Sequence, residues 1–420
     1  MKGAIAVLLL VLSAAACRNT AEPPLSDELV TPPSSTTPYT AIDLGTLGGA
    51  FSSARDINVN EQIVGESQTA AGETHAFLFA DGVMQDLGTL GGAFSAADDI
   101  NDAGQIAGRS TTATGEMRAV LWTDGTLVDL GPLVSDAVHL SQRGQAAWSA
   151  PLAGGASQAA LWSDGVMQEL GTLGGPWAQV AGINDLGDVV GISTIAEPPA
   201  SFFRLGFVWR DGLMTALPGF EVTTFGGSTQ AHGINRAGQI VGRAIDSRGQ
   251  AHAVLWQPGE GTMTDLGTLQ GDVGAAAIAI NDLGWVAGES YSCCFNDTPA
   301  PFRWQAGVML PLDREYQTNF NEQFVAAMNG RGVVVGREEV FNRIDNARVW
   351  EHGVVWDLGT LGGESADPVT INDSGTVVGR AMDSTRVYHA VAWRRLPAAL
   401  VAEGGVAATR ATPRTSVVRR

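Results

Sequence analysis

Apolar and polar residues alternate along this chain in short runs, and Gly, Asn and Asp punctuate them. Between residues 53 and 87 the pattern predicts four strands: Ser53 to Asn58, Gln62 to Gln68, Thr74 to Phe79 and Val83 to Leu87. Period-two alternation broken by turn residues is the signature of a four-stranded antiparallel meander. The same pattern then returns. The last aromatic residue of each copy (Phe79, Trp122, Trp162, Trp209, Trp256, Trp304, Trp350 and Trp393) marks eight units spaced 40 to 48 residues apart. That period belongs to a propeller blade rather than to a helical repeat.

Two kinds of tight turn recur. Between the first and second strands stands Asn-x-x-Gly, as in Asn101 to Gly104, Asn184 to Gly187, Asn235 to Gly238, Asn281 to Gly284, Asn329 to Gly332 and Asn372 to Gly375. Asn suits the first turn position and Gly supplies positive φ. Asn58 to Glu61 and Ser141 to Gly144 deviate from it. Between the third and fourth strands, Asp81-Gly82, Asp124-Gly125, Asp164-Gly165 and Asp211-Gly212 are hairpin signals. Four strands per unit place both tight turns on one face. The Leu-Gly-Thr-Leu-Gly-Gly connections and the loops between second and third strands emerge on the other, where the reading puts all the length variation: Ile195 to Leu205, Tyr291 to Pro301 and Val340 to Asn346. Uniform turns opposite irregular loops predict a scaffold with one working face.

The eighth unit has only three strands of its own, Thr370 to Asn372, Val377 to Met382 and His389 to Arg394, and Tyr39 to Leu44 precedes the first unit. An N-terminal strand that completes the last blade would seal the open edges. The expected fold class is therefore all-β: a single β-propeller over residues 40–395, eight four-stranded blades closed by the N-terminal strand, with seven blades or a β-helix as alternatives. Each unit buries its apolar surface only against its neighbours, which favours one domain despite the 420-residue length.

Outside the repeat, Lys2, the apolar run Ala4 to Leu12 and the small residues Ser13 to Ala16 read as a signal peptide over residues 1–16. The run is shorter than the roughly 20 residues a membrane span needs. The sequence up to Cys17 resembles the lipobox of bacterial lipoproteins, which implies lipidation of Cys17, although Ala14 stands where leucine is usual; an ordinary cleaved secretory signal is the alternative. Residues 17–39 are rich in Pro, Ser and Thr and read as an extended tether. Residues 396–420 gather Arg410, Arg414, Arg419 and Arg420 as a disordered basic tail. The net charge of −19 argues against nucleic acid as a partner. Past Lys2 every basic residue is arginine.

Asp43 to Gly49, Ile57-Asn58, Ile63 to Gly65 and His75-Ala76-Phe77 together resemble the HAF-repeat family of bacterial extracellular proteins, and the resemblance extends from about Asp43 to Arg394. Later copies are looser. His252 and His389 keep the histidine, whereas Arg118, Gln158, Leu205, Ala300 and Asn346 replace it. The resemblance implies export and a repeat fold. It brings no reaction and no ligand.

No Gly-x-Ser-x-Gly elbow, His-Glu-x-x-His or phosphate loop occurs, so no catalytic residue is assigned. The three repeat histidines would be spread around a ring, unlike a set converging on a metal ion, and point to packing or hydrogen bonding. The Asn and Asp residues read as turn chemistry rather than a calcium loop. No metal and no cofactor are expected, and the blade tryptophans read as core between blades. Acidic residues on the variable face (Glu73, Glu116, Glu197, Asp246, Asp297 and Asp345) read as solvated loop charges. Cys293 and Cys294 lie in an expanded loop of an exported chain, where a vicinal disulfide, pairing with another chain or reduced thiols are all open. Ligand-binding candidates are aromatic: Phe51, Phe94 and Trp177 at one offset after Gly-Gly, and Phe202, Phe203, Tyr291, Phe295 and Phe341 from the long loops. Flat aromatic surfaces suit sugars, peptides or a protein ligand; packing between blades is the competing role for the first three. The leading expectation is a membrane-tethered, extracytoplasmic, non-catalytic binding scaffold. An enzyme acting on polysaccharide or peptide (lyase or hydrolase) and a structural cell-envelope component are the alternatives.

Overall fold

A computed structural model describes residues 37–134, 137–196, 204–221, 227–259, 261–292, 299–313, 322–340 and 344–396. Blade one consists of Gly48–Ile57, Ile63–Thr69, Thr74–Ala80 and Val83–Asp86, and six further blades follow with the same antiparallel order. The last blade contains Gly362–Ile371, Val377–Asp383 and Tyr388–Arg395, and its outer strand is Tyr39–Asp43 from the N-terminal side, paired antiparallel from Tyr39↔Arg395 to Asp43↔Val391. The eight-bladed ring is thus closed by the strand the sequence predicts. Its only helical element among the described residues is a 3-10 turn, Ala153–Gly155.

The core is divided into eight apolar clusters, one between each pair of neighbouring blades. Val64 and Ala76 of blade one meet Ala97, Val120 and Trp122 of blade two, while Phe77 and Ile63 face Val378 and Ala392 of blade eight. Alternation gives each strand two apolar faces that need two neighbours. Burying a side chain such as Phe77 contributes about 1.5–3 kcal/mol, and an isolated blade would lose that contribution on both sides. The blade-marking Trp122, Trp256, Trp350 and Trp393 are buried in these clusters. Three of them also donate their indole N–H to a backbone carbonyl: Leu87, Pro218 and Gly359 respectively for Trp122, Trp256 and Trp393.

Inner strands are longer than the sequence pattern predicts. Blade one's begins at Gly48, not Ser53, because the Gly-Gly pair allows two departures from regular pairing. Between Gly48↔Thr69 and Ser52↔Ser67 the inner strand carries two extra residues; Gly48 sits at φ +103°, and a Cβ on Gly49 would lie 2.6 Å from Gln68 Cγ. Phe51, Phe94 and Trp177 therefore stand within strands. Further along, Arg55 is an extra residue between Ala54↔Gly65 and Asp56↔Val64. This second bulge presses the inner backbone onto the second strand, so a Cβ on Gly65 would meet Ser53 O at 2.1 Å. Gly108, Gly191, Gly242, Gly288, Gly336 and Gly379 are equally confined, at 1.9–2.2 Å from a carbonyl oxygen. Blade three shows the rule by its exception. Its inner strand is only His139–Leu140, and fully buried Trp148 occupies the glycine position and fills the vacated space.

Each Asn-x-x-Gly turn also joins blade to blade. Asn58 Oδ1 accepts from the N–H groups of Asn60 and Gln62, and its Nδ2 donates to Asn101 O of the next blade at 3.1 Å. The link repeats from Asn101 to Ser141 O, Asn184 to Asn235 O, Asn235 to Asn281 O, Asn281 to Asn329 O, Asn329 to Asn372 O and, across the closure, Asn372 to Asn58 O. Ser141 has no amide to donate, and the step from blade three to blade four instead uses Gln142 N–H to Asp185 Oδ1 at 2.9 Å. The expectation that all length variation falls on the opposite face needs two corrections: blade five's outer hairpin, between Ala251–Trp256 and Met263–Asp265, is extended on the tight-turn face because Pro258-Gly259 replaces Asp-Gly, and Val340 to Asn346 is not an expanded loop, because Ile344, Asp345 and Asn346 pair in register with Val340, Glu339 and Glu338.

Candidate functional site: the inner wall of the ring

The first turns of six blades meet around one open, polar depression of about 320 Å³, which marks the axis on the tight-turn face. Asp185, Asp282 and Asp373 line it, and Arg236 Nε donates to Asp185 at 2.8 Å. Hydrogen bonds of the turns themselves engage these groups: Arg236 N–H donates to Asp282 and Gly330 N–H to Asp373. This end of the axis is a closing structure.

Deeper along the wall lies a series that the sequence reading missed. The residue after the confined glycine of the second strand is Glu66, Arg109, Arg243, Glu289, Arg337 or Arg380 in six blades, with Ser149 and Ile192 in the other two. Strand parity turns this position toward the next blade's inner strand. Glu289 Oε1 accepts Val325 N–H of the next blade at 2.9 Å, and Ser149 Oγ accepts Val180 N–H at 3.2 Å. Burial pushes the Glu289 carboxyl up to about 7 against the opposing pull of that N–H and Arg337. Between blades one and two, Arg55 donates to Glu66 at 2.9 Å, and Asp98, with its side chain 2% exposed, lies 3.2 Å from Arg109 and accepts Val138 N–H. Burial lifts Asp98 to about 6 although both arginines oppose it. Asp56 is raised well above the usual carboxylate range by burial and by Asp99 beside it; the two accept Ile100 N–H and Leu140 N–H respectively. The sequence signal was present as a charged residue recurring directly after Val-Gly or Ala-Gly in an otherwise apolar strand.

Guanidinium groups lie over aromatic rings at three places toward the variable-loop end: Arg204 over Trp177 at 4.8 Å, Arg337 over Phe324 at 4.8 Å and Arg380 over Tyr388 at 4.9 Å. Of the predicted aromatic residues, Phe51, Phe94, Trp177 and Tyr291 are all half-buried. Phe94 pairs with Thr74 in the single parallel bridge between blades one and two, and the ring of Tyr291 covers Gly274. The structure does not gather these four into one cluster. Cys17, Phe202, Phe203, Cys293, Cys294, Phe295 and Phe341 lie outside the described residues, as do the signal peptide and most of the tether and tail.

The repeat histidines have defined partners. His75 Nδ1 lies 2.8 Å from Asp86, His252 Nδ1 2.8 Å from Asp265, and His389 Nδ1 3.0 Å from Asp43. Arg118, at the same position in blade two, donates to Asp129 at 3.0 Å. Each aspartate also accepts the N–H two residues on, at Gly88, Gly267, Gly45 and Gly131. The His of one motif and the Asp of the other are thus two halves of one contact at the variable-loop end of the blade. Among the described residues no group of three or more His, Cys, Asp or Glu side chains is placed to hold a metal ion.

These features define a closed β-propeller with uniform turns at one end and a charged inner wall. No protein-family model matches the chain, and no curated protein is similar to it in sequence. Among solved structures, the propeller domain of the Trilobed protease from Pyrococcus furiosus is similar to it in fold, with a TM-score of 0.51 at 11% identity over 74% of this chain and 99% of that one. That domain has an open velcro topology, whereas here a strand pair closes the ring. An acylaminoacyl peptidase from Pyrococcus horikoshii gives a TM-score of 0.48 at 11% identity over 81% of this chain and 59% of that one. A puromycin hydrolase gives 0.46 at 14% identity over 85% and 55%.

Proposed function

We propose that this protein is an exported propeller of the HAF-repeat type, held at a bacterial membrane by a lipid on Cys17, that binds a glycan, peptide or protein through its variable-loop face without transforming it. One observation carries the reading. The tight-turn end is tied by a near-continuous ring of asparagine hydrogen bonds, whereas the connections between second and third strands range from three residues between Val334–Val340 and Ile344–Glu351 to eight between Val189–Ile195 and Arg204–Arg210. A frame fixed at one end and diverse at the other is how rigid scaffolds present recognition loops. An array of glycans and peptides tests it, with Phe202→Ala/Tyr291→Ala alongside the parent chain. Binding that the double substitution abolishes supports the reading, and no binding to any class overturns it. Radiolabelled palmitate incorporated in a bacterial host, and lost in Cys17→Ala, tests the anchor.

A second reading, an enzyme acting on polysaccharide or peptide, is favoured by the neighbouring Asp56 and Asp99, because burial and the adjacent carboxyl raise Asp56 well above the usual range, and such a pair suits acid–base work. Turnover of an array ligand that disappears in Asp99→Asn would favour it over simple binding.

A further inference from the structure

The inner wall between blades seven and eight holds an arginine that lacks the close partners such a group normally has. The Arg337 guanidinium carbon lies 4.8 Å from the Phe324 ring centre, its Nε is buried without a hydrogen bond, and its nearest carboxylate atoms, on Asp345 and Asp367, are both 3.7 Å away. At that distance the pairs are electrostatic contacts and not hydrogen bonds. One blade over, Arg380 lies over Tyr388, with its side chain 45% exposed, and makes one bond of 3.2 Å to the same Asp367. Asp345, 3.7 Å from Arg337, is the other carboxylate of this wall. Both guanidinium groups thus reach Asp367, and neither makes a two-bonded pair with a carboxylate, in a chain whose overall charge is −19.

We propose that this wall is the subsite for a carboxylate-bearing sugar, a uronic-acid unit of an acidic oligosaccharide. The inference rests on the binding-scaffold reading above and names the class of its ligand. A planar guanidinium presents paired N–H donors that match a carboxylate, and stacking on a ring fixes the orientation of both groups before the ligand arrives. The flanking Asp345 and Asp367 select against runs of closely spaced negative charge but accept hydroxyl donors. A uronate offers that alternation, one carboxylate flanked by hydroxyls. An acidic peptide brings successive carboxylates without hydroxyls, and these meet the two aspartates.

Calorimetric titration of the full chain with tri-galacturonate, neutral galactotriose and penta-glutamate tests the assignment. Tri-galacturonate is expected to bind, at least 10-fold more tightly than either alternative and more weakly as salt rises. Arg380→Ala is expected to lower that affinity at least 10-fold. Arg380→Lys keeps the charge but not the fork and should fall between, and Arg118→Ala, far from the wall, should bind as the parent does. Absence of tri-galacturonate binding, equal binding of galactotriose, preference for penta-glutamate, or equal affinity in Arg380→Ala and Arg118→Ala would each overturn the proposal. A neutral glycan or peptide bound independently of Arg380 would sink this subsite and leave the scaffold reading standing. No ligand in either experiment would sink both.

Discussion

A single asparagine per blade serves two purposes that its carboxylate analogue cannot combine. Its oxygen caps its own turn and its amide bonds the next blade, as Asn235 does through Oδ1 to Gln239 N–H and through Nδ2 to Asn281 O. Asn235→Asp keeps the cap but loses the donor and sets a charge against a carbonyl in a buried position, so it should cost about 1–3 kcal/mol in denaturant unfolding. Conversely, Ser141→Asn is expected to supply the one missing amide link and to stabilise by about 1 kcal/mol. The turn role of these residues was legible in Asn-x-x-Gly, whereas the bond to the next blade was not, because its acceptor lies 40 to 51 residues away within the chain of blades and 314 away at the closure. The wall charges were similarly half visible. Glu289 reads as an ordinary solvated acid until Val325 of the next blade covers it. Its raised pKa means that the fold favours the neutral acid, so its contribution is present below the unfolded value near 4.3 and is lost as pH rises through about 7. Glu289→Gln should then be indistinguishable from the parent at pH 4.5 but more stable at pH 8, by on the order of 1–2 kcal/mol, in urea titrations at both values.

At the scale of strands, the confined glycines explain why the second strand keeps Gly in seven blades and has Trp148 in blade three. A Cβ at Gly242 would sit 1.9 Å from Gln230 O, a backbone atom that moves only with its strand. Gly242→Ala is therefore predicted to destabilise by about 1–3 kcal/mol, as a lowered midpoint of unfolding. The sequence showed these glycines as a repeating feature but did not reveal the inner-strand bulge that requires them. The His and Asp motifs gain their meaning at the same scale, since neither names the other until third and outer strands pair. At the closing strand the hydrogen bond that His389 donates to Asp43 raises the pKa of His389, while hydrogen bonds from His389 and Gly45 N–H hold Asp43 low against the opposing effect of burial. The histidine's contribution is complete below its unfolded pKa near 6.5 and disappears as pH rises through the higher folded value; the aspartate's is complete above about 3.9 and disappears as pH falls. The pair thus stabilises most between roughly pH 4 and 6.5. His389→Ala should lower the melting temperature more at pH 5.5 than at pH 8.5, and an equal loss at both would refute this account.

For the molecule as a whole, closure decides stability because every blade needs two neighbours. Glu61 stands at φ 61° where six of the other seven turns have the glycine of Asn-x-x-Gly and the remaining one Gly144, and its carboxylate accepts from Asn372, Ser374 and Thr376 across the seam. Removing residues up to Asp43 should expose the face that Tyr39, Ala41 and Ile42 cover on blades seven, eight and one, with earlier melting and concentration-dependent association in light scattering. Local information in the chain determined the strands, the tight turns, the repeat count and the division into two faces, because alternation and turn chemistry act between residues only a few positions apart. It also supplied a strand for closure, since the last unit lacked one. Tertiary structure alone decided which side chains meet across blades: the asparagine ring, the bulges over the glycines, the His–Asp pairs and the charged wall with its arginines over rings. Those contacts depend on neighbouring sheets being brought edge to axis and face to face, and a one-dimensional pattern carries the period of that arrangement without its distances.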